Sequence, residues 1–387
     1  MDFDFTREQV MLRDVTREVL ARESPTIAVR RWMEDDRGYD PELWHRLAET
    51  GLLGIAVDEA HGGQGLGMVE LALVLDEMGR GAYPGPYFAS SVLAAGLLMD
   101  CGDATPQGLY LTGLADGSLV GTVAISDDGL SWGPSGVTLS AQADGDEFVL
   151  AGAKRFVPWA HVADVILVAA RTRRDEDPTH GITVFAVERG APGVTVVPHR
   201  SIDRTSRSAD VSFDGARLGR ESIVRDLDMG WPLVELTLAR AAIGASADML
   251  GAARRCLQMS VEYAKIRQQF GQPIGAFQAI KHMCADMLLE VENSHAATYY
   301  AAWALAAGAP DARLAASVAK SYVNEGARKV CGSAVQLHGG IGFTWDYDLH
   351  LYFKRAKGLE PLYGNTEFHR EQIVRAALDA AAIPVLA

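Results

Sequence analysis

Apolar residues recur at helical spacing through the first hundred residues. The stretch TREQVMLRDVTREVLARE opens with Thr6 and Gln9 in capping-box spacing, and its apolar residues alternate with charged ones. A second run, MVELALVLDEMGR, ends at Gly81, a residue that commonly closes a helix. The pattern predicts an N-terminal all-α domain over residues 1–117.

The pattern changes near residue 118. Four short runs rich in β-branched residues follow one another, DEFVLAG, ADVILVAAR, GITVFAVE and GVTVVPH. The turn clusters ADGD, RRDEDPTHG and ERGAPG separate them, with no helical pattern between. This punctuation at short spacing predicts a middle antiparallel β domain over residues 118–226.

Long helical patterns return from Trp231 onward. Apolar residues step by three and four along two stretches, Leu250, Ala253, Leu257 and Val261 in the first, and Val323, Ala327, Val330, Ala334 and Leu337 in the second. Gly339 and Gly340 stop the second, and two further stretches cover 277–308 and 365–382. Together they predict a C-terminal four-helix bundle over residues 227–387.

Composition narrows the class of protein. A chain of 387 residues is too long for a single hydrophobic core, so more than one domain is expected. Its net charge of −14 argues against a nucleic-acid or anionic-membrane partner. Four scattered cysteines without a C-x-x-C pair favour reduced thiols, and the ten histidines do not cluster as metal ligands. No signal peptide or membrane-length apolar run is visible, so we expect a cytoplasmic protein without a metal site.

The stretch YAKIRQQFGQPIGAFQAIKHMCADM carries candidate binding chemistry. Arg267 can pair with a diphosphate, Phe270 can stack on a ring, and Gln278 can hydrogen-bond a polar cofactor edge. On residue types alone, an inter-helix turn with a surface arginine is the favoured interpretation. The glycines of HGGQGLG lack G-x-G-x-x-G spacing and no βαβ unit follows, so a flexible loop is the better interpretation there.

The order of these residues resembles a signature of the acyl-CoA dehydrogenase family. AVQLHGGIGFTWDYDLHLYFKRAK, with Gln336, Gly339 and Gly340, resembles the family's second signature, and GLLGIAVDEAHGGQGLG resembles a third segment. His338 lies between the matched positions. The three segments span most of the chain in the family's order.

The resemblance implies a tetrameric FAD protein that introduces a double bond between Cα and Cβ of an acyl-CoA thioester. It further implies an electron acceptor such as an electron-transfer flavoprotein. Six residues would bind the adenosine-diphosphate part of FAD across a subunit interface: Arg267, Phe270, Gln278, Gln336, Gly339 and Gly340.

The catalytic residue is unknown from the sequence. The family's glutamate lies in a Tyr-Glu-Gly-Thr stretch, but here LYGN puts Tyr363 or Gly364 at that position. An alternative base position, on the first bundle helix, falls at or near Ala241. Glu235 and Asp248 lie within two turns of it and are interpreted as solvated helix residues.

The β domain also departs from the family pattern. The Thr-Glu-Pro…Gly-Ser and Trp-Ile-Thr segments that contact the flavin ring correspond here to ISDDGLSWG and KRFVPWAHVAD. Val157 and Pro158 stand where a flavin-bonding hydroxyl is expected, and proline has no N–H to donate. The adenosine end of the FAD site is therefore predicted to be retained and the ring end altered.

Three functions remain open from the sequence. The first is an active FAD-dependent acyl-CoA dehydrogenase whose base comes from another position in the chain, such as Glu235 or Asp248. The second is a base-lacking subunit of a heteromeric dehydrogenase that completes FAD sites at an interface, so that the tetramer is homomeric or heteromeric. The third, more remote, is a flavin oxidase or monooxygenase of the same fold.

Overall fold

The computed structural model describes residues 4–127 and 131–381. They form two compact units, each assembled from separate stretches of chain. Of these described residues, 4–30, 68–83 and 242–381 belong to the first unit, and 31–67, 84–127 and 131–241 belong to the second.

The first unit contains the two N-terminal helices predicted from the sequence. Helix α1, Arg7–Glu23, begins with the predicted capping box: the Thr6 hydroxyl accepts from the Gln9 amide at 3.2 Å, and the Gln9 side chain accepts from the Thr6 amide at 3.0 Å. Helix α4, Met68–Gly81, packs against α1 and ends at the predicted glycine. The Arg17 guanidinium donates to both carboxylate oxygens of Glu77, at 2.6 and 2.9 Å, and ties the two helices together.

Helix α7, Trp231–Ile266, approaches α4 at backbone contact distance in the first unit. A Cβ on Gly79 would lie 1.9 Å from the carbonyl oxygen of Asp248, and a Cβ on Gly251 would lie 1.9 Å from that of Asp76. Real Cβ atoms do not approach a carbonyl oxygen so closely, so this crossing requires glycine on both helices.

Helix α9, Ala312–His338, is the centre of the remaining helices of the first unit. It packs against α8 Gln278–Ala306, α10 Leu349–Leu359 and α11 Thr366–Ala381. The four long helices predicted from the sequence correspond to α7, α8, α9 and α11, and the short α10 is an additional helix among the described residues. The eleven-residue α10 is too short to be stable alone, and its folding depends on apolar side chains that it buries in the tertiary structure.

The second unit begins with short helices. They are α2 Thr26–Glu34, whose last residues belong here, α3 Pro41–Glu49, a π-helical stretch Phe88–Ala94 that continues into α5 Ala95–Cys101, and α6 Ala104–Ala115. Asp40 caps α3 by accepting from the amide of Glu42 at 3.0 Å, and Pro41 occupies its first turn.

A seven-stranded sheet makes up the rest of the second unit. Its order is β1-β4-β2-β3-β7-β6, with β5 paired to β4. The strands are β1 Gly121–Ala124, β2 Ser140–Asp144, β3 Glu147–Pro158, β4 Val165–Arg171, β5 Ile182–Glu188, β6 Val194–Pro198 and β7 Ser208–Gly219.

The sheet is mixed, so the prediction of an antiparallel domain is wrong for part of it. Strand β4 runs parallel to β1 and meets β2 at one parallel pair, whereas the other pairs are antiparallel. Turn signals report pairing between consecutive strands only. The β1–β4 pair joins strands that are separated by β2 and β3, which no local pattern announces.

Candidate functional site

The first signature folds as a hairpin at the end of α7. Strands β8 Gln268–Gln269 and β9 Gln272–Pro273 pair around a two-residue turn, Phe270–Gly271, in which both φ angles are positive, +53° and +80°. A left-handed conformation costs a bulky side chain about 1–3 kcal/mol, and the Phe270 side chain recovers none of this by burial because 92% of it is exposed. A strained, exposed aromatic at a hairpin tip indicates a surface built for a ligand or partner.

The root of this hairpin packs on the second signature. Ala264, Ile274 and Leu337 form one buried apolar cluster, so the end of α7, the hairpin and the end of α9 lie together. The Tyr263 ring stacks on the His338 ring with centroids 4.4 Å apart. The structure thus brings both predicted signatures to one place.

His338 is part of this junction, a role that the sequence did not reveal. Burial lowers the pKa of its imidazole. The neutral ring can donate from Nδ1 to the Ala334 carbonyl at 2.7 Å and accept at Nε2 from the Tyr347 hydroxyl at 3.2 Å. The only advance signal was its place between Gln336 and Gly339.

The polar residues of the two signatures face open space. The side chains of Arg267, Gln278 and Gln336 are exposed, and the guanidinium makes no ion pair within the described chain. Gly339, with φ +61°, and Gly340 have no atom within 4 Å of a Cβ built on either. A guanidinium, two amides, an aromatic ring and accessible glycine backbone are a donor set suited to a diphosphate with an attached ring system.

The position expected for the base is occupied by a strained turn. Tyr363 has φ +58° and is buried, and burial raises the pKa of its phenol, so the hydroxyl keeps its proton. A Cβ on Gly364, φ +104°, would lie 2.5 Å from atoms of His369 and Phe368. The nearby Glu360 carboxylate pairs with Lys357 at 2.5 Å and with Arg328 at 3.6 Å, and the exposed Glu367 lies in the first turn of α11.

The fully buried side chain of Lys320 hydrogen-bonds to the main chain of this turn. The Lys320 ammonium donates to the carbonyls of Leu359, Glu360 and Gly364, at 3.1, 3.1 and 3.2 Å, and to the side-chain oxygen of Asn324 at 2.7 Å. Three of these four acceptors are main-chain oxygens that α10 and the following turn would otherwise leave without donors.

Asp248 is not the solvated residue that the sequence suggested. Its side chain is buried, and both carboxylate oxygens accept from the Arg355 guanidinium, at 2.6 and 2.7 Å. The same guanidinium donates to the carbonyl of Tyr83 at 2.9 Å. A carboxylate held in this way is a structural group and is poorly suited to accept a proton from a substrate. Glu235 is half-buried on α7, and Ala241 is buried.

The segment expected at the flavin ring lies in the second unit. Buried Lys154 forms an ion pair with Asp127 and donates to the Ile125 carbonyl at 2.8 Å, and burial lowers the pKa of this lysine to about 8. Val157 is buried, and the Pro158 carbonyl accepts from the Thr122 hydroxyl at 2.5 Å. Residues 128–130 of ISDDGLSWG lie outside the described residues.

The described part of the chain shows neither a group of metal-ligating side chains nor a membrane-spanning helix. Across residues 4–127 and 131–381, no three histidine, cysteine, aspartate or glutamate side chains are grouped to hold an ion. Within the same ranges, no helix has the length and apolarity needed to cross a membrane.

Helices, then β strands, then helices along the chain, with the hairpin at the end of α7 packed against the end of α9, are the features of a class of flavoprotein oxidoreductase. Comparison with protein families matches the N-terminal, middle and C-terminal domains of acyl-CoA dehydrogenase to residues 6–118, 123–216 and 228–378. The chain belongs to the acyl-CoA dehydrogenase family, and its activity class is that of an acyl-CoA dehydrogenase.

Individual relatives cover nearly the whole chain. A probable acyl-CoA dehydrogenase of Bacillus subtilis, YngJ, is 31% identical over 98% of this chain and 100% of its own length. The structure of butyryl-CoA dehydrogenase from Megasphaera elsdenii superimposes with a TM-score of 0.91 at 27% identity, over 98% and 100% of the two chains. A chain of the ChsE4–ChsE5 complex from Mycobacterium tuberculosis gives 0.89 at 29% identity, over 98% and 99%.

Proposed function

We propose that this chain takes part in FAD-dependent α,β-desaturation of an acyl-CoA as the base-lacking subunit of a heteromeric tetramer. Its own contribution is to hold the adenosine-diphosphate end of FAD, while a related chain supplies the carboxylate that removes the α-proton. The observation that carries this proposal is the turn at the base position. There Tyr363 keeps its proton, and Gly364 has no room for a side chain in the present conformation.

The exposed donors at the two signatures fit FAD. Arg267 would pair with the diphosphate, and Phe270 would stack on the adenosine. Gln278 and Gln336 would hydrogen-bond its polar edge, and the backbone of Gly339 and Gly340 would approach the phosphates. When bound, FAD supplies the acceptor for the two electrons that leave with the β-hydrogen.

The α-proton needs a separate acceptor. Desaturation moves that proton to a base while the β-hydrogen leaves as a hydride, so a missing base costs about 10²–10⁴ in rate. A buried phenol with a raised pKa keeps its own proton at neutral pH and so is not available to accept the α-proton, and Tyr363 therefore does not replace a glutamate. The ChsE4–ChsE5 relative, a complex of two named proteins, is the kind of assembly in which one chain could complement another.

A second candidate is a self-sufficient enzyme whose base is Glu235. This residue is half-buried on α7, whereas Asp248 is held by Arg355. In both versions an electron-transfer flavoprotein would reoxidise the flavin. We place an oxygen-using flavin enzyme last, because no contact in the described chain favours it.

Anaerobic reduction of the flavin by acyl-CoA thioesters separates these candidates. The chain is purified alone and together with a base-bearing family member, and the visible flavin absorbance is followed. The subunit proposal predicts bleaching in the mixture only, and bleaching by the chain alone would refute it. Loss of that bleaching in Glu235→Gln would then identify the self-sufficient enzyme, and oxygen uptake with an oxidised product would identify the third candidate.

The variant Tyr363→Glu tests whether the base is the only catalytic group that this chain lacks. If the ring end of the site is otherwise intact, this variant should bleach with thioester while Tyr363→Phe should not. If neither variant bleaches although both retain flavin, then the altered segment around Pro158 also prevents catalysis by this chain.

A further inference from the structure

The second unit contains a pocket of about 1100 Å³ at some distance in sequence from both signatures. Three parts of the chain line it. They are the loop after α2 with Asp36, Arg37 and Tyr39, the residues beside the ends of β3 and β5, and the connection from β6 to β7.

The wall of this pocket is basic, although the chain as a whole carries a net charge of −14. Two carboxylates, Asp36 and Asp203, face a larger set of basic side chains: Arg37, His161, Arg189, His199, Arg200, Arg204 and Arg207. Five arginines against two aspartates leave an excess of positive charge. A concave wall of one sign focuses the potential and attracts anions.

Contacts within the protein neutralise this charge only in part. Arg204 pairs with Glu34 at 2.6 Å, and His199 lies 2.9 Å from Asp210. Burial lowers the pKa of Arg207 and the charge of Arg204 lowers it further, whereas the charges of Asp36, Asp35 and Glu34 raise it. Burial lowers the pKa of His161, its contact with the Arg37 carbonyl raises it, and the charges of Arg207 and Arg189 lower it. The basic groups therefore repel one another in the absence of an added anion.

The back of the pocket is held rigidly. The Arg207 guanidinium donates to the carbonyls of Met33 and Asp35, at 2.9 and 2.8 Å, while its buried Nε has no acceptor among the described residues. His161 stacks on Trp159 and contacts the Arg37 carbonyl through Nε2 at 3.1 Å. Its buried Nδ1 also lacks a partner within the described chain. A fixed charged wall lowers the cost of ordering a ligand.

The front of the pocket offers accessible donors. Arg37 and Arg200 are exposed, and no ion pair engages either guanidinium in the part of the chain that the structure describes. Tyr39, Val162, Val196 and Pro198 supply apolar surface beside them. Arginine forks match phosphate oxygens in a bidentate geometry, and apolar walls take a ring or aliphatic body.

We propose that this pocket binds a nucleotide-sized small molecule through a phosphate ester or diphosphate. Arg37 and Arg200 contact the phosphate, and the apolar side holds the rest of the ligand. Small-molecule sites span about 300–1,000 Å³, so the pocket has room for such a ligand. The residues that line it are not among the FAD-binding residues proposed above, and the proposal does not depend on them.

Calorimetric titration of the flavin-loaded protein with inorganic pyrophosphate, and then with ADP, tests the proposal. We expect saturable binding, tighter for ADP because its ring adds apolar contact. One charge-assisted hydrogen bond is worth about tenfold or more in affinity, so Arg200→Ala and Arg37→Ala should each weaken binding by at least about tenfold. Arg200→Glu should abolish binding.

Arg174→Ala is the matched control, since Arg174 is an exposed arginine of the same unit outside the pocket. It should bind both probes as the unmodified protein does, and all variants should keep the same melting temperature. Absence of binding, or equal binding by the pocket variants, overturns the proposal. Release of flavin during the titration overturns it as well, because the probe would then be entering the FAD site.

Discussion

Replacing Lys320 by methionine tests the lysine beneath the base-position turn. The substitution keeps the length of the side chain but removes the donor shared by the carbonyls of Leu359, Glu360 and Gly364 and the side chain of Asn324. The ammonium has three N–H groups, so at most three of these four acceptors receive a full hydrogen bond at once, and at about 0.5–1.5 kcal/mol each they amount to about 3 kcal/mol. Relief from burying an amine offsets part of this loss, and we expect a net destabilisation of about 1–3 kcal/mol at pH 7.

The stability difference between Lys320→Met and the unmodified protein should change with pH in a defined direction. Burial lowers the pKa of Lys320 from 10.5 to about 7, with Glu360 acting in the opposite direction. Between these values the unfolded chain binds the proton and the folded chain does not, so the contribution to stability grows with pH above 7. At about 1.36 kcal/mol per pH unit, the deficit of Lys320→Met relative to the unmodified protein should widen by about 2–3 kcal/mol from pH 7 to pH 9.

Denaturant unfolding at several pH values measures this deficit, and hydrogen exchange of residues 359–365 reports the turn itself. Lys329→Met is the control, because Lys329 lies on the same helix but pairs with Glu290 at an exposed position. It should cost less than about 1 kcal/mol at every pH. A deficit for Lys320→Met that stays constant or narrows between pH 7 and 9 would refute the argument.

Three further predictions concern the first unit. Burial raises the pKa of Asp76 to about 6, so its contribution to stability is present below about pH 4 and lost as pH rises through 6. Melting curves of Asp76→Asn should lack this loss, and a variant with the same pH profile as the unmodified protein would contradict the prediction. Gly79→Ala should lower the free energy of unfolding by at least about 2 kcal/mol, because its Cβ would be forced against the Asp248 carbonyl. Gly332→Ala is the control, and it should be neutral or stabilising because the space around Gly332 is open. Equal melting temperatures for the two variants would exclude the close crossing. Phe270→Gly should raise the melting temperature of the flavin-free protein by relieving the left-handed turn and should weaken FAD binding in a flavin titration; unchanged affinity would remove Phe270 from the proposed site.

Local features of the fold were readable from the sequence. The capping box of α1 and the glycine at the end of α4 depend on residues within a few positions, so both helices were predicted correctly. The four β runs correspond to β3, β4, β5 and β6. Pairing between β1 and β4 escaped prediction, because it depends on a crossover and not on any turn.

The candidate site could likewise be predicted from the sequence only where its features are local. The identities of Arg267 and Phe270 came from an ordered motif, but the strained turn that exposes Phe270 became visible only in three dimensions. Asp248 looked like a helix surface residue because its partner, Arg355, lies 107 residues further along the chain. The basic pocket draws on three separate segments, and no single stretch of sequence reveals it.

The interleaved composition of the two units affects how the chain can fold during synthesis. Helices α1 and α4 belong to the first unit, yet most of that unit follows residue 241. About 300 residues remain to be translated after Tyr83, which takes roughly 15–60 s at ribosomal speeds of ~5–20 residues per second. Until α7 and α8 emerge, α4 has only α1 of these three neighbouring helices, so part of its apolar surface stays uncovered and the nascent chain should rely on chaperones during this part of its translation.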